Sequence, residues 1–420
     1  MTVAVIFISP CPDKVRPVPS KTPSRARNRT PLFRSEIALN KKLLTTAILA
    51  ATASAAHAQS SVTLYGVIDA GISYVNHSKN AAGGSSKLFK YDDGVAQGSR
   101  WGIRGQEDLG GGLKAIFVLE NGFNSGTGAL GQGSSMFGRQ AYVGLSKNDM
   151  GTVSFGRQYS FSTDILGSNY STGGNTVVGN YAYHVNDVDQ LTSSRINNSV
   201  KFQSANYYGF TFGALYGFSN SAGAFAGTPN VGTTVGTSSA YSFGVNYANG
   251  PASIGAAYTN IRFPQGSATP LSGNLANISV GSSLRDLRTF GVGGRYVFGP
   301  ATAWVLWTST QFDALNSFGT KYNAYEAGVK YALTPALSGA VGYTYSNATQ
   351  NNQSYHWNQV NGTVDYALSK RTDVYGLVVY QQASGKGVQA QIGSSTSYFS
   401  TSGSGSKNQI AARVGIRHKF

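Results

Sequence analysis

"QIAARVGIRHKF", residues 409–420, alternates without a break. Counting back from Phe420, one parity holds His418, Ile416, Val414, Ala412 and Ile410, and the other holds Lys419, Arg417, Gly415, Arg413 and Ala411. That is the period of a strand with one apolar and one basic face. Two surroundings fit it. In the first the apolar face covers a core and the bases meet bulk solvent; in the second the apolar face meets hydrocarbon and the bases turn to an aqueous interior. One strand does not choose between them, so the rest of the chain must.

Composition narrows the field. The 420 residues include 53 Gly, 25 Tyr and 21 Phe, with only 12% charged. Gly weakens helices and aromatics favour strands, so a helical protein is excluded. "KKLLTTAILAATASAAHA", residues 41–58, joins two lysines to an apolar run and an Ala56-His57-Ala58 cleavage pattern, the layout of a secretory leader. The basic, Pro-rich stretch "SPCPDKVRPVPSKTPSRARNRTP" before it cannot pack, and leaders normally begin at their basic end. We therefore expect residues 1–38 to be an upstream extension from a misplaced start, residues 39–58 the leader and residues 59–420 the mature protein; a disordered native tail is the other reading of the first segment. Removing residues 1–58 takes away nine bases and two acids, leaving 24 against 15 and a net charge of +9 instead of +16. It also removes Cys11, the only cysteine, and with it any disulfide scaffold, thiol catalysis or Cys-based metal site. An exported basic chain with no basic helix and no recognisable reader fold is not expected to bind nucleic acid.

No apolar run after residue 58 approaches the ~20 residues of a spanning helix. Strands of about ten residues recur instead. "VTLYGVIDAGISY", residues 62–74, sets Val62, Leu64, Ile68, Ala70, Ile72 and Tyr74 against Thr63, Tyr65, Asp69 and Ser73. The connections alternate in length. Short turns fall near 110–112, 148, 206, 248, 298, 333 and 370. Long Gly/Ser/Asn/Thr-rich loops fall near 76–97, 125–136, 160–197, 219–240, 264–287, 315–321, 347–356 and 384–407. Seven short and eight long connections predict sixteen strands. An even antiparallel set returns its last strand to its first and closes the sheet. Short turns on one rim and long loops on the other mark an outer-membrane β-barrel, and sixteen strands enclose more space than side chains fill. The expected fold is thus an all-β, sixteen-stranded antiparallel transmembrane barrel, with Ile410 to Phe420 facing lipid and the interleaved bases facing the lumen.

The motifs "QSSVTLYGVIDAGISY", "SRWGIRGQEDLGGGLKAIFVLENGF", "GRQAYVGL", "GTVSFGRQYS" and the terminal "VGIRHKF" fall in order across residues 59–420. In them the chain resembles the trimeric general porins of β-proteobacteria, the Burkholderia, Bordetella and Neisseria type. The resemblance implies a homotrimer in the Gram-negative outer membrane, contacts with lipid and lipopolysaccharide, and a third long loop, here about 160–197, folded into the pore. It implies a general diffusion channel for small hydrophilic solutes, with a modest anion preference, no cofactor and no catalysis. Phe420 resembles the signal read by the outer-membrane assembly machinery.

The resemblance also implies a ladder of arginines on the constricted wall. The matching positions are Arg100, Arg139 and Arg195, with Glu120 as their acidic neighbour. Alternation supports Arg100 and Arg195. Arg139 shares parity with Ala141, Val143 and Leu145, so it needs a bulge or a rim position. Arg104, Arg157 and Lys201 are expected to line the lumen away from the narrowest point. Asp164, Asp187 and Asp189 are the loop acids expected to oppose the arginines across the eyelet. Guanidinium suits the task because it stays charged and offers several donors to carboxylate or phosphate. Clustered like charges in a narrow tube raise the local anion concentration.

Rival readings have weaker support. The histidines after the leader, His77, His184, His356 and His418, match neither a nucleophile elbow nor a metal-ligand spacing, which disfavours an outer-membrane enzyme. "GVGGRYVFG" is followed by no helix and is not a nucleotide loop. A substrate-specific channel with a Tyr and Arg track, or an adhesin barrel, stays open as the alternative. The tyrosines also suit interfacial girdles.

Overall fold

The computed structural model describes residues 60–80, 82, 84–176, 179, 184–220, 222, 239–262, 274–276, 278–279, 284–314, 319–392 and 404–420. The leader and the upstream segment lie outside them, as do parts of several long loops.

The chain forms a closed barrel of sixteen antiparallel strands. β1 is Ser61–Lys79, and β2 comes in two pieces, Ser85–Asp93 and Arg100–Gly110. The upper half of β1 pairs with the first piece and its lower half with the second. Next come β3 (Leu113–Gly122), β4 (Gln140–Lys147), β5 (Gly151–Tyr159), β6 (Arg195–Ser204), β7 (Phe210–Gly217), β8 (Ser239–Asn249) and β9 (Ala252–Arg262). The remainder are β10 (Leu284–Phe298), β11 (Ala301–Ala314), β12 (Thr320–Ala332), β13 (Leu337–Gln350), β14 (Gln353–Ala367), β15 (Thr372–Ser384) and β16 (Asn408–Lys419). β16 pairs with β1 from Val67↔Lys419 to Val75↔Ala411, and Phe420 exchanges backbone bonds of 3.0 and 3.1 Å with Gly66 to finish the seam. Among the described residues no helix is long and apolar enough to cross a membrane. A closed ladder satisfies every strand amide without water, as hydrocarbon demands.

Alternation sorts the side chains as expected. Val62 and Val414 are 68% and 72% exposed, while Asp69 and Arg413 on the opposite parity are 0% and 2%. The apolar parity of the opening stretch therefore lies outside. Its bases lie inside, but two of them are occupied. The Arg413 guanidinium donates to Asp69 at 3.1 Å and to the Tyr375 hydroxyl at 2.8 Å, and Arg417 pairs with Asp373 at 3.0 Å. Exposed aromatics collect near the short turns, among them Tyr207, Tyr247, Phe298, Tyr331 and Tyr366. This is the interfacial position their amphipathic rings favour.

All seven short turns fall where the sequence put them. Two long loops do not. Residues 76–97 are mostly strand, with β1 running to Lys79 and β2 starting at Ser85. The expected loop at 347–356 is a two-residue turn, Asn351 and Asn352, both left-handed at φ 50° and 59°, as a hairpin of matched twist requires. Residues 76–79, 347–350 and 353–354 are mostly small or polar, and the one apolar alternation in 85–93, Phe89 and Tyr91 outward against Lys90 and Asp92, is too short to stand out among Gly, Ser and Asn.

Candidate functional site

The site begins with a wall built to receive a loop. On the inner faces of β7 to β10 stand Gly213, Gly244, Gly255 and Gly291. A Cβ there would come within 2.6 Å of, respectively, Phe161, Ile165, Tyr170 and Leu166 of the third long loop. Glycine leaves the grooves, and these four apolar side chains fill them, all buried. The described residues of the loop between β5 and β6 (160–176, 179 and 184–194) thus fold into the barrel, with a π-helical turn at Ser162–Gly167 and short turns at Thr172–Asn175 and Val185–Asp187. It is joined inside by two segments whose composition gave no sign of it. Residues 94–99 place Val95 and Ala96 inward, with Ala96 and Gln97 donating their amides to Asp69 at 2.8 Å each. Residues 388–392 pack Val388 and Ala390 against Val185, Val188 and Trp357.

Polar bonds fasten the loop at its far end. His184 stands between two carboxylates, Nδ1 at 2.6 Å from Asp189 and Nε2 at 2.7 Å from Glu326. Glu326 also accepts from the Thr172 hydroxyl at 2.7 Å, the Thr172 amide and the Trp304 indole at 2.8 Å. Asp189 accepts from the Thr308 hydroxyl at 2.7 Å. Burial alone would favour the neutral imidazole, yet Asp189 and Glu326 together outweigh it and raise His184 to about 10. Burial, with the charge of Asp189 beside it, raises Asp187 to about 6 against hydrogen bonds from Thr192 and Ser193.

The arginines form a run beside the loop. Glu120 accepts from the Tyr65 hydroxyl at 2.9 Å and from Arg139 Nε at 2.6 Å, with Arg100 Nε at 3.7 Å. Arg139 occupies a rim position, the residue just before β4, where its backbone amide donates to the Glu120 carbonyl at 3.2 Å. The next step along is Arg157, whose Nε donates to the Gly138 carbonyl at 2.8 Å and whose terminal nitrogen donates to Asn197. Arg195 pairs in register with Tyr159, its guanidinium 4.9 Å from the ring centroid and 3.1 Å from the hydroxyl. Arg104 lies 5.3 Å from the Tyr65 ring centroid. Lys201 binds Asp164 of the loop and donates to the Tyr159 carbonyl at 2.9 Å.

Two expectations need correction. Arg195 does not share a face with Ser199 and Lys201. The register slips between Gly156/Gln158 and Ser199/Ile196, so an extra residue on β6, with Asn198 left-handed at φ 51°, reverses the alternation. Ile196, expected on the lipid side, is buried against Phe161 and Leu215 instead. Asp187 and Asp189 do not face the passage: both are enclosed, Asp187 by Thr192 and Asp189 by His184 and Thr308. Tyr65, Tyr159, Trp304 and Glu326 were missed in the sequence. Glu326 had a signal, a lone carboxylate sharing parity with Tyr322 and Ala324, both fully buried.

The profile of the Gram-negative porin family matches residues 45–386. An outer membrane porin protein of Bordetella pertussis is 32% identical over 376 residues, covering 81% of this chain and 94% of its own. Outer membrane porin protein 32 of Delftia acidovorans is 31% identical over 393 residues, 91% of this chain and all of its own. Among solved structures, the anion-selective porin from Comamonas acidovorans superposes with a TM-score of 0.63 at 28% identity, covering 86% of this chain and all of that one.

Proposed function

The chain belongs to the Gram-negative porin family, and from that premise we propose that Arg100, Arg104 and Arg139 form the basic wall of its constriction. The protein is an outer-membrane diffusion porin, a channel and not an enzyme. Small hydrophilic solutes cross it down their gradients, and the wall biases passage toward anions. One observation carries this reading: the Arg100 and Arg139 guanidiniums converge on the Glu120 carboxylate, and Arg104 stands two positions along from Gly102, the register partner of Glu120, on the same face of β2. Arg157 and Arg195 pair in register with Ala141 and Tyr159, on the face opposite Ser154, Ser199 and Lys201, and do not belong to this wall. Burial of Asp187 and Asp189 removes two acids from the opposite side of the balance. The solved relative named as anion-selective has the same fold. Purified protein in a planar bilayer, under a salt gradient, should give a reversal potential of the anion-selective sign; the opposite sign would refute the assignment of the arginines while leaving the channel in place.

The same reading extends to assembly. Three copies are expected to associate as a trimer that migrates intact on an unheated detergent gel, its outer wall in contact with lipid and lipopolysaccharide. Phe420 closes the seam through its backbone, which suits a residue that the assembly machinery recognises at the end of the last strand. Deleting it should lower the amount of folded barrel in the outer membrane, whereas an unchanged amount would show that the terminal residue is dispensable.

A further inference from the structure

Both ring nitrogens of His184 face carboxylate oxygens, at 2.6 and 2.7 Å. A neutral imidazole has only one N–H, so two such acceptors are satisfied only by the doubly protonated ring. The two carboxylates belong to different parts of the molecule, Asp189 to the inward loop and Glu326 to β12. Glu326 holds the loop twice, through His184 and through Thr172, which lie twelve residues apart in the loop. All three charged groups are buried. Among the described residues Asp189 is steered by His184 and Thr308, and its second oxygen has no partner. Take the imidazolium away and Asp189 and Glu326 become buried like charges facing one another across the joint between loop and wall.

Resting on the channel reading above, we infer that His184 is the positioning residue of the constriction: as a charged clasp between Asp189 and Glu326 it fixes where the loop stands, and so sets the aperture and its resistance to closure by voltage. It touches no solute. The apolar plugs Phe161, Ile165, Leu166 and Tyr170 secure the first half of the loop. The second half is held by the clasp, by the Val185, Val188 and Leu191 contacts and by bonds from Gln391 to Asn186 and from Thr163 to the Gln190 carbonyl, and of these the clasp alone carries charge between loop and wall among the described residues. A chain of bonds whose middle link is a proton-dependent cation differs from an apolar contact in one testable respect, its response to alkali.

Single-channel recording of purified protein decides the matter. His184→Gln should broaden the distribution of open conductances, lower the voltage at which channels close and raise the closed fraction at a fixed voltage at least tenfold. In the wild type the closing voltage should fall as pH rises toward 10, and in His184→Gln the fall should be clearly smaller. The variant is the needed control, because Asp187, Asp189, Glu326 and Tyr322 are ionisable groups packed on the same clasp and stay in place when His184 is replaced. Folding is checked by the shift in gel mobility on heating. If His184→Gln yields no folded barrel, Thr308→Val, which removes one bond from Asp189, should lower the closing voltage in part, and the wild-type pH dependence must still appear. Wild-type closing voltage and pH profile in the folded His184→Gln variant would overturn the inference. No channels of any kind, even from the wild type, would instead sink the porin reading.

Discussion

Arg413 shows what a side chain's parity reveals and what it hides. Alternation placed it inside, which is correct, but nothing in "QIAARVGIRHKF" discloses that Asp69, 344 positions earlier, stands 3.1 Å away. The partner arrives through barrel closure, which pairs Ser73 with Arg413 and Asp69 with Arg417. Both side chains are wholly enclosed, so removing one leaves an uncompensated buried charge. Asp69→Ala is expected to cost about 3–5 kcal/mol, read as a lower urea midpoint for the folded, heat-modifiable form. Arg413→Met with Asp69→Leu should recover most of it. Equal midpoints for Asp69→Ala and wild type would mean that water reaches the pair. Gly66 makes a second case. A Cβ there would stand 2.7 Å from the Arg100 carbonyl oxygen and would collide with the Phe420 ring. Gly66→Val should therefore displace the terminal residue and slow assembly of the barrel, and a wild-type rate of appearance of the folded band would refute that placement.

At the scale of elements, the sequence was legible where lipid touches the chain and illegible where it does not. Lipid demands an apolar residue at every second position, so the strand cores and the seven short turns between them could be read. Inside the barrel, a polar stretch looks the same whether it waves in solvent or plugs the lumen, and residues 94–99 and 388–392 were lost for that reason. A bulge is also silent in parity, and it carried Arg195 off its expected face. Gly156, at φ 141°, sits opposite that bulge, and a Cβ there would stand 2.9 Å from Tyr142 Cα. Gly156→Ala should cost roughly 1–3 kcal/mol of local strain, read as a lower urea midpoint with the barrel still folded; an unchanged midpoint would show that the strand absorbs the added methyl group. The loop carries a pH dependence of its own. Both His184 and Asp187 have raised pKa values, so each stabilises the folded loop most below its unfolded value. The Asp187 contribution is lost as pH rises from 3.8 to about 6, and that of His184 from 6.5 to about 10. Amide exchange across residues 160–194, corrected for intrinsic rates, should accelerate in two steps over those windows, with Asp187→Asn abolishing the lower one. Acceleration toward acid would invert the sign and exclude both groups as its source.

The whole molecule adds a field that no single residue owns. The guanidiniums of Arg100, Arg104 and Arg139 on the Glu120 side of the lumen act on a solute through its water, and water with salt screens them. The Debye length is ~10 Å at 0.1 M and ~3 Å at 1 M ionic strength. An anion travelling off the wall by several ångströms therefore feels the run of arginines at low salt and hardly at all at high salt. A preference that came from direct contact, with an anion seated against Arg100 and Arg104, would survive at 1 M, because contact distances are no longer than either screening length. The structure favours the field: Arg100 and Arg139 are turned to Glu120 and Arg104 lies on the Tyr65 ring, so none is pointed as a fork at a single seat. The chloride-to-potassium permeability ratio should accordingly be well above one in 0.1 M KCl and fall severalfold toward unity in 1 M, following the ~10 to ~3 Å change in screening length. Arg100→Gln with Arg104→Gln should flatten that dependence while leaving the conductance at high salt nearly as it was. A ratio that does not change with salt would remove the long-range field from the account and leave contact as the origin of selectivity. A ratio that changes equally in the double variant would move the field's source to bases elsewhere in the lumen.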